Sequence, residues 1–259
     1  MTNAPEYPAS HDLLKGKRVL VTASAGVGIG FATAKRCAEE GATVVLSDVH
    51  ERRLREAADE LDKISGAKPL AVPCDVTAEE EVQNLFDTAI KELGGLDVAV
   101  CNAGLGGTKK LVDMTDDEWH QVLDVTLTGT MRCNRAALRY MTEAGSGVIV
   151  NNASILGWRA QEGQAHYAAA KAGVMALTRT AAIEGAPHGV RVNAVAPSLA
   201  IHEFLTRVMS QDVLDELITK ELFKRSAETW EVANVIVFLA SDYASYMTGE
   251  VVSVSSQHP

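Results

Sequence analysis

The stretch TASAGVGIG, Thr22 to Gly30, follows the apolar run RVLV and leads directly into a helical pattern. Gly26, Gly28 and Gly30 therefore stand between a first strand and a first helix, where backbone N–H groups and the positive end of the helix dipole can hold a pyrophosphate. Glycines alone carry little weight, because any turn that needs positive φ uses them. Their placement is what counts. Asp48 ends the second apolar run, 20 residues after Gly28, where a carboxylate can accept hydrogen bonds from an adenosine ribose. Helix capping is the plainer alternative for Asp48. A carboxylate there would repel a 2'-phosphate, and the loop carries no Lys or Arg, so the expected cofactor is NAD in preference to NADP.

Outward from this loop, Val-rich apolar runs recur at 18–24, 43–49, 69–76, 96–104, 147–154, 190–198 and 250–256. They lack strict polar alternation, which marks strands buried on both faces. Helical patterns lie between or beside them at 29–40, 51–64, 78–93, 116–143, 165–187, 202–222 and 228–240. Regular strand–helix alternation predicts an α/β fold: a single-domain, doubly wound, Rossmann-type seven-stranded parallel sheet with helices on both faces. Thr77 and Thr115, each before an acidic turn, are expected as helix caps, and Gly41 and Gly94 as helix ends. Residues 1–13 read as a flexible lead-in without the features of a secretion signal, and 14–259 as one catalytic domain with a substrate flap at 199–222. A cytoplasmic protein is expected.

Composition narrows the partners. A formal charge of -10 over 259 residues disfavours nucleic acid, which needs a basic face. No apolar run reaches the roughly 18 residues that span a bilayer, so no membrane partner is expected. Cys37, Cys74, Cys101 and Cys133 show neither CxxC spacing nor a neighbouring His cluster and read as reduced packing residues, with no metal site. A small-molecule substrate fits best.

From about residue 14 to 256 the chain resembles the short-chain dehydrogenase/reductase family, whose usual loop is TGxxxGxG. Here Ala23 replaces the first Gly and the span from Thr22 to Gly28 is one residue longer, while Gly28-Ile29-Gly30 keeps the helix-entry end. Cys74-Asp75-Val76 resembles the adenine-contacting segment of that family, and Cys101-Asn102-Ala103-Gly104 its NNAG turn. The motif YAAAK places Tyr167 and Lys171 on one helix face, roughly 6 Å apart. Ser154 lies 13 residues before Tyr167, the separation at which the family carries its Ser, Tyr and Lys. The resemblance implies catalysis by Ser154, Tyr167 and Lys171, with Thr126 in place of an Asn that helps hold a water near the Lys. For the cofactor it implies Thr22, Ser24, Gly26, Gly28, Ile29, Asp48, Asp75, Val76, Asn102, Ala103, Gly104, Tyr167, Lys171, Pro197 and Ala200. After strand six, Ser198, Ala200 and His202 replace the family's Gly, Ile and Thr, and the C-terminal TGEVVSVSSQHP ends in serines where a Gly pair is common.

The chemistry explains the residue types. Oxidising a secondary alcohol removes the hydroxyl proton as hydride leaves carbon, and a phenol of pKa about 10 is a poor base at pH 7. Lys171, together with the nicotinamide's positive charge, is expected to acidify Tyr167. Ser154 would hold the substrate oxygen. Trp158, Phe204, Leu205, Val208, Met209, Leu214, Leu217 and Ile218 either line a roomy apolar pocket or pack the flap against the body. Lys109, Lys110, Arg159 and Arg207 either attract a phosphate-bearing carrier such as coenzyme A or solvate the surface. His166 reads as a pocket-rim or interface residue, and His202 as the better candidate for a substrate or cofactor contact.

The expected function is therefore NAD(H)-dependent interconversion of a secondary alcohol and a ketone, on an alicyclic or steroid-like substrate or a 3-oxoacyl thioester. The alternative is an NAD-binding sensor or pseudo-enzyme without turnover. Resemblance to the family further implies a homotetramer built through helices 116–143 and 165–187.

Overall fold

The computed structural model describes residues 4–201, 205 and 211–257. His202, Phe204, Arg207, Val208 and Met209, singled out above, lie outside the described residues, as do residues 1–3. Seven strands form one sheet: β1 (Arg18–Val21), β2 (Thr43–Asp48), β3 (Leu70–Pro73), β4 (Val98–Cys101), β5 (Gly147–Asn152), β6 (Val190–Pro197) and β7 (Val251–Val254). Every pairing is parallel, and the order is β3-β2-β1-β4-β5-β6-β7. The winding reverses between β1 and β4, so a crevice opens at their carboxyl ends, the place where such sheets bind ligands.

The connecting helices are α1 (Ile29–Glu39), α2 (Glu51–Ser65), α3 (Glu79–Leu93), α4 (Asp116–Leu123), α5 (Gly129–Ala144), α6 (Ala165–Gly185), α7 (Gln211–Lys220) and α8 (Thr229–Ala240). Phe31, Leu54 and Ile236 from α1, α2 and α8 cover one face with Val19, Val21, Val44 and Leu46. Phe86 and Ala137 from α3 and α5 cover the other with Leu20, Val45 and Ala99. Successive strand residues point to opposite faces, so a strand packed on both sides must be apolar throughout, which is why β1 shows no polar alternation.

Two local expectations change. The helical pattern 116–143 is not continuous: α4 and α5 are joined by a π-helical turn at Asp124–Thr128, an irregularity frequent at functional sites. Thr115 caps α4 in a full capping box with Glu118, but Thr77 does not cap α3, whose N-cap is Ala78. The Thr77 hydroxyl and N–H instead donate to Asp75 Oδ1, at 2.7 and 2.9 Å. Where it is described, the lead-in is hydrogen-bonded to the C-terminal end of α1. Buried Arg36 donates to the carbonyls of Pro8 and Ala9, and the fully buried carboxylate of Glu40 accepts from the N–H groups of His11 and Leu13. The anchoring charges sit at α1, so the lead-in's own residues gave no sign of it.

Candidate active site

The loop between β1 and α1 is fixed by hydrogen bonds from the end of β4. The Thr22 hydroxyl accepts from the N–H groups of Asn102 and Ala103 at 2.9 and 3.2 Å. The Asn102 amide donates to the carbonyls of Thr22 and Ala23 at 3.2 and 3.1 Å. Ala23 has φ +49, a left-handed conformation that costs a non-glycine residue on the order of 1 kcal/mol, and the Asn102 bond to its carbonyl helps hold it there. Gly30 answers to space: a Cβ would lie 2.1 Å from the Ala23 carbonyl oxygen and 2.6 Å from Asn102 Nδ2. Gly26 has φ +90, with open space where a side chain would stand. Gly28 is the N-cap of α1, with Ile29 its first residue.

Ser24 is placed differently from expectation. Its hydroxyl donates to the Ser47 carbonyl at 3.3 Å and accepts from the Ser47 N–H at 3.0 Å, and the buried side chain lies outside the cleft wall. It ties the loop to β2. Asp48 does line the cleft, accepting from the N–H groups of Ala25 at 3.2 Å and His50 at 2.9 Å. Burial pushes its carboxyl up, against the opposing pull of the Ala25 hydrogen bond and of Arg53's charge. Sequence reasoning considered only loop 22–30 for cations and so missed Arg52 and Arg53, which α2 brings into the same wall with His50.

The Ser154, Tyr167 and Lys171 side chains converge past the ends of β4 and β5. The Ser154 hydroxyl, whose influence on the Tyr167 phenol opposes that of burial, accepts from the Leu156 N–H at 3.2 Å. Lys171, 2% exposed, donates from Nζ to the Asn152 carbonyl at 2.5 Å and sits 5.5 Å from the centroid of the Tyr167 ring. Burial pushes the phenol up to about 12 and the ammonium down to about 8. The expected acidification of Tyr167 is thus reversed in the protein alone. Both groups are desolvated, which favours their neutral forms, and the Lys171 hydrogen bond goes to a backbone carbonyl. At neutral pH Tyr167 holds its proton.

Thr126 lies in the π-helical turn, fully buried. Its hydroxyl accepts from the Leu105 N–H at 2.9 Å and donates to the Leu105 carbonyl at 3.0 Å. It therefore clamps the segment after β4, where Gly104 lets the chain pass Lys171: a Cβ there would stand 3.3 Å from Nζ. Asn152, which sequence reasoning passed over, joins the two halves of the site. Its Nδ2 donates to Asn102 Oδ1 at 2.8 Å, its carbonyl accepts from Lys171, and its buried Oδ1 has no hydrogen-bond partner among the described residues. The signal was a second polar residue at the carboxyl end of a central strand. His166 is buried rather than at a rim, packed near Gly107, and burial lowers its pKa.

Thr22, the loop glycines, Asp48, Asn102, Asn152, Ser154, Tyr167 and Lys171 line one cleft of about 1170 Å³, with Thr126 and His166 outside its wall. The cleft exceeds the roughly 300–1,000 Å³ of an ordinary small-molecule site. Asp75, Val76, Ala103, Gly104, Pro197 and Ala200 also line it. Of the apolar residues singled out earlier, Leu205 and Leu217 reach the wall, whereas Leu214 is buried and Trp158 is half exposed outside it. Lys109 and Lys110 pair with Glu118 and Glu162 at the surface. Among the described residues no cluster of His, Cys, Asp or Glu could hold a metal ion, and no helix is long and apolar enough to cross a membrane. The open cradle at Gly26, the orphaned Asn152 oxygen and the size of the cleft fit a dinucleotide with a second molecule beside it.

A doubly wound parallel sheet whose switch-point cleft gathers serine, tyrosine and lysine beside a glycine cradle defines a nucleotide-dependent oxidoreductase. A family model described as enoyl-(acyl carrier protein) reductase matches residues 23–256, and the chain belongs to the short-chain dehydrogenase/reductase family. It is 60% identical, over 99% of this chain and 98% of the relative, to a (5R,7aS)-5-hydroxy-7a-methyl-1-oxo-2,3,5,6,7,7a-hexahydro-1H-indene-carboxyl-CoA reductase of Mycobacterium tuberculosis. It is 44% identical, over 92% of this chain and 95% of the relative, to a cis-4-hydroxycyclohexanecarboxylate dehydrogenase of Sinomonas cyclohexanicum. The crystal structure of a short-chain dehydrogenase from Mycobacterium smegmatis superposes with a TM-score of 0.89 at 56% identity, covering 99% of both chains.

Proposed function

We propose that this protein is an NAD(H)-dependent oxidoreductase that interconverts a hydroxyl and a keto group on an alicyclic ring carried as a coenzyme A thioester. The observation that carries the reading is the convergence of Ser154, Tyr167 and Lys171 on one cleft, with Lys171 Nζ 5.5 Å from the Tyr167 ring centroid and anchored on the Asn152 carbonyl. In reduction Tyr167 donates its proton to the carbonyl oxygen, and the Ser154 hydroxyl donates a hydrogen bond to the same atom. Below about pH 8 Lys171 is an ammonium and stabilises the phenolate that remains. A bound nicotinamide nucleotide supplies the hydride. Thr22, Gly26, Gly28, Ile29, Asp48, Asp75 and Val76 would hold its adenosine and pyrophosphate, and Asn102 to Gly104, Lys171, Pro197 and Ala200 its nicotinamide end.

The ring substrate rests on the M. tuberculosis and S. cyclohexanicum relatives, whose names both specify a ring alcohol, and on Leu199, Leu205 and Leu217 in the cleft wall. NAD rests on the Asp48 carboxylate, which opposes a 2'-phosphate despite Arg52 and Arg53 beside it. A homotetramer is part of the same proposal, supported by the exposure of Ile183, Tyr243 and Tyr246, apolar surface of the kind that subunits bury. The test is reduction of 4-oxocyclohexanecarboxyl-CoA, its free acid and a 3-oxoacyl-CoA with NADH and with NADPH. The expected result is turnover of the ring thioester with NADH ahead of the others. NADH binding without turnover of any ketone would favour a sensor.

A further inference from the structure

Past β7 the chain carries Ser255-Ser256-Gln257, residues that the chemistry above leaves unused. Leu199 follows β6, and Glu221 follows α7, the helix that carries Leu217 into the cleft wall. The Glu221 side chain is a carboxylate in a residue only 1% exposed, and its partners among the described residues are all neutral. Oε2 accepts from the Ser256 hydroxyl at 2.6 Å, and Oε1 from Gln257 Nε2 at 2.8 Å and, more distantly, from the Leu199 N–H at 3.4 Å. The Leu222 N–H donates to the Ser256 carbonyl at 3.0 Å. Among the described residues, two of the three donors to this buried carboxylate therefore come from the C-terminal tail.

Gln257 faces a second partner. Its Oε1 accepts from Arg159 at 2.5 Å, and Arg159 belongs to the segment after β5 that also carries Ser154. Gln257 itself lines the cleft. A primary amide can accept from a guanidinium through its oxygen and donate to a carboxylate through its nitrogen at once. We propose that Gln257 is a positioning residue that braces α7 against the Arg159 segment and so sets the shape of the substrate end of the cleft. The proposal rests on the reading of this end as the ring-binding end. Without the brace, Glu221 loses a donor inside the protein, a loss that a buried charge tolerates poorly, and α7 shifts to rehydrate it.

The donor and acceptor pattern supplies its own test. Q257A removes the bridge, and Q257E keeps the acceptor for Arg159 while setting one carboxylate against another. The double variant Q257E/E221Q restores a donor–acceptor pair with the roles exchanged. Hydrogen exchange over residues 211–222 is expected to speed up about tenfold in Q257A and Q257E and to return close to the native rate in the double variant. With 4-oxocyclohexanecarboxyl-CoA and NADH, both single variants should raise KM about tenfold and leave kcat and NADH binding within about twofold, the double variant again recovering. Unchanged exchange, a double variant no better than Q257E, or a loss in kcat or NADH binding in place of KM overturns the brace. A native protein that reduces none of the ketones contradicts the substrate class instead, and the exchange rates then decide for or against the brace by themselves.

Discussion

At the nucleotide end of the cleft, Asn102 alone fastens two carbonyls of the β1–α1 loop and receives Asn152, whereas at the substrate end α7 is held through side chains of the C-terminal tail. The first end is built on strand termini, and its shape is fixed by the side chains of Thr22, Asn102 and Asn152, which hydrogen-bond the backbone and one another. The second is built from leucines and a few polar side chains on connecting segments. The contrast matches the chemistry each end serves: a dinucleotide is the same molecule in every turnover, while the substrate has to be chosen by the shape of the walls around it.

The comparison breaks most visibly at Gly30. A methyl group there would sit inside contact distance of the Ala23 carbonyl, so G30A should weaken NADH binding by about a hundredfold or more and destabilise the fold by about 1–3 kcal/mol, measured by titration and chemical denaturation. Loss of the Lys171 ammonium ranks next in expected effect. Lys171 holds its charge below about pH 8, while Tyr167 keeps its proton to about 12. Reduction should therefore be fastest below pH 8 and decline above it as Lys171 is neutralised, and K171M should be slow, with no such decline across pH 7–10. A native rate that rises through pH 8 would contradict that assignment. Asp48 sharpens the nucleotide end: D48N should shift the preference between NADH and NADPH by about tenfold toward NADPH, because Arg52 and Arg53 are then unopposed. At the substrate end the expected effect is smaller. L217A should raise KM for the ring thioester by about fivefold, in line with loss of part of one apolar contact, with NADH binding unaltered.

What was legible in the sequence follows the same division. β1, β4 and β5 are short apolar runs ended by Thr22, Asn102 and Asn152, so the strands and the place of the loop could be read from periodicity alone. The spacing of Ser154, Tyr167 and Lys171 likewise survives into space, because Tyr167 and Lys171 share one helix and Ser154 follows the end of the neighbouring strand. Other features were not legible. The π-helical turn around Thr126 leaves no compositional mark, since Asp124–Thr128 reads like any stretch of an amphipathic helix. Arg52 and Arg53 belong to a helix whose charges look like a solvated face until the fold turns its first residues toward Asp48. The direction of the Tyr167 shift depends on how far the surrounding protein desolvates both partners, which no spacing between residues reveals. The bonds of Glu221 to Ser256 and Gln257 join positions far apart in the chain, and local pattern carries no trace of them.

The central claim is that Tyr167 delivers the proton from a cleft whose nucleotide end does not depend on it. Single-turnover reduction of 4-oxocyclohexanecarboxyl-CoA by the Y167F variant, run beside an NADH titration of the same protein, tests both parts together. The predicted result is a rate lower by roughly 10²–10⁴-fold with NADH affinity within about twofold of native. A Y167F rate within a few-fold of the native one would contradict it.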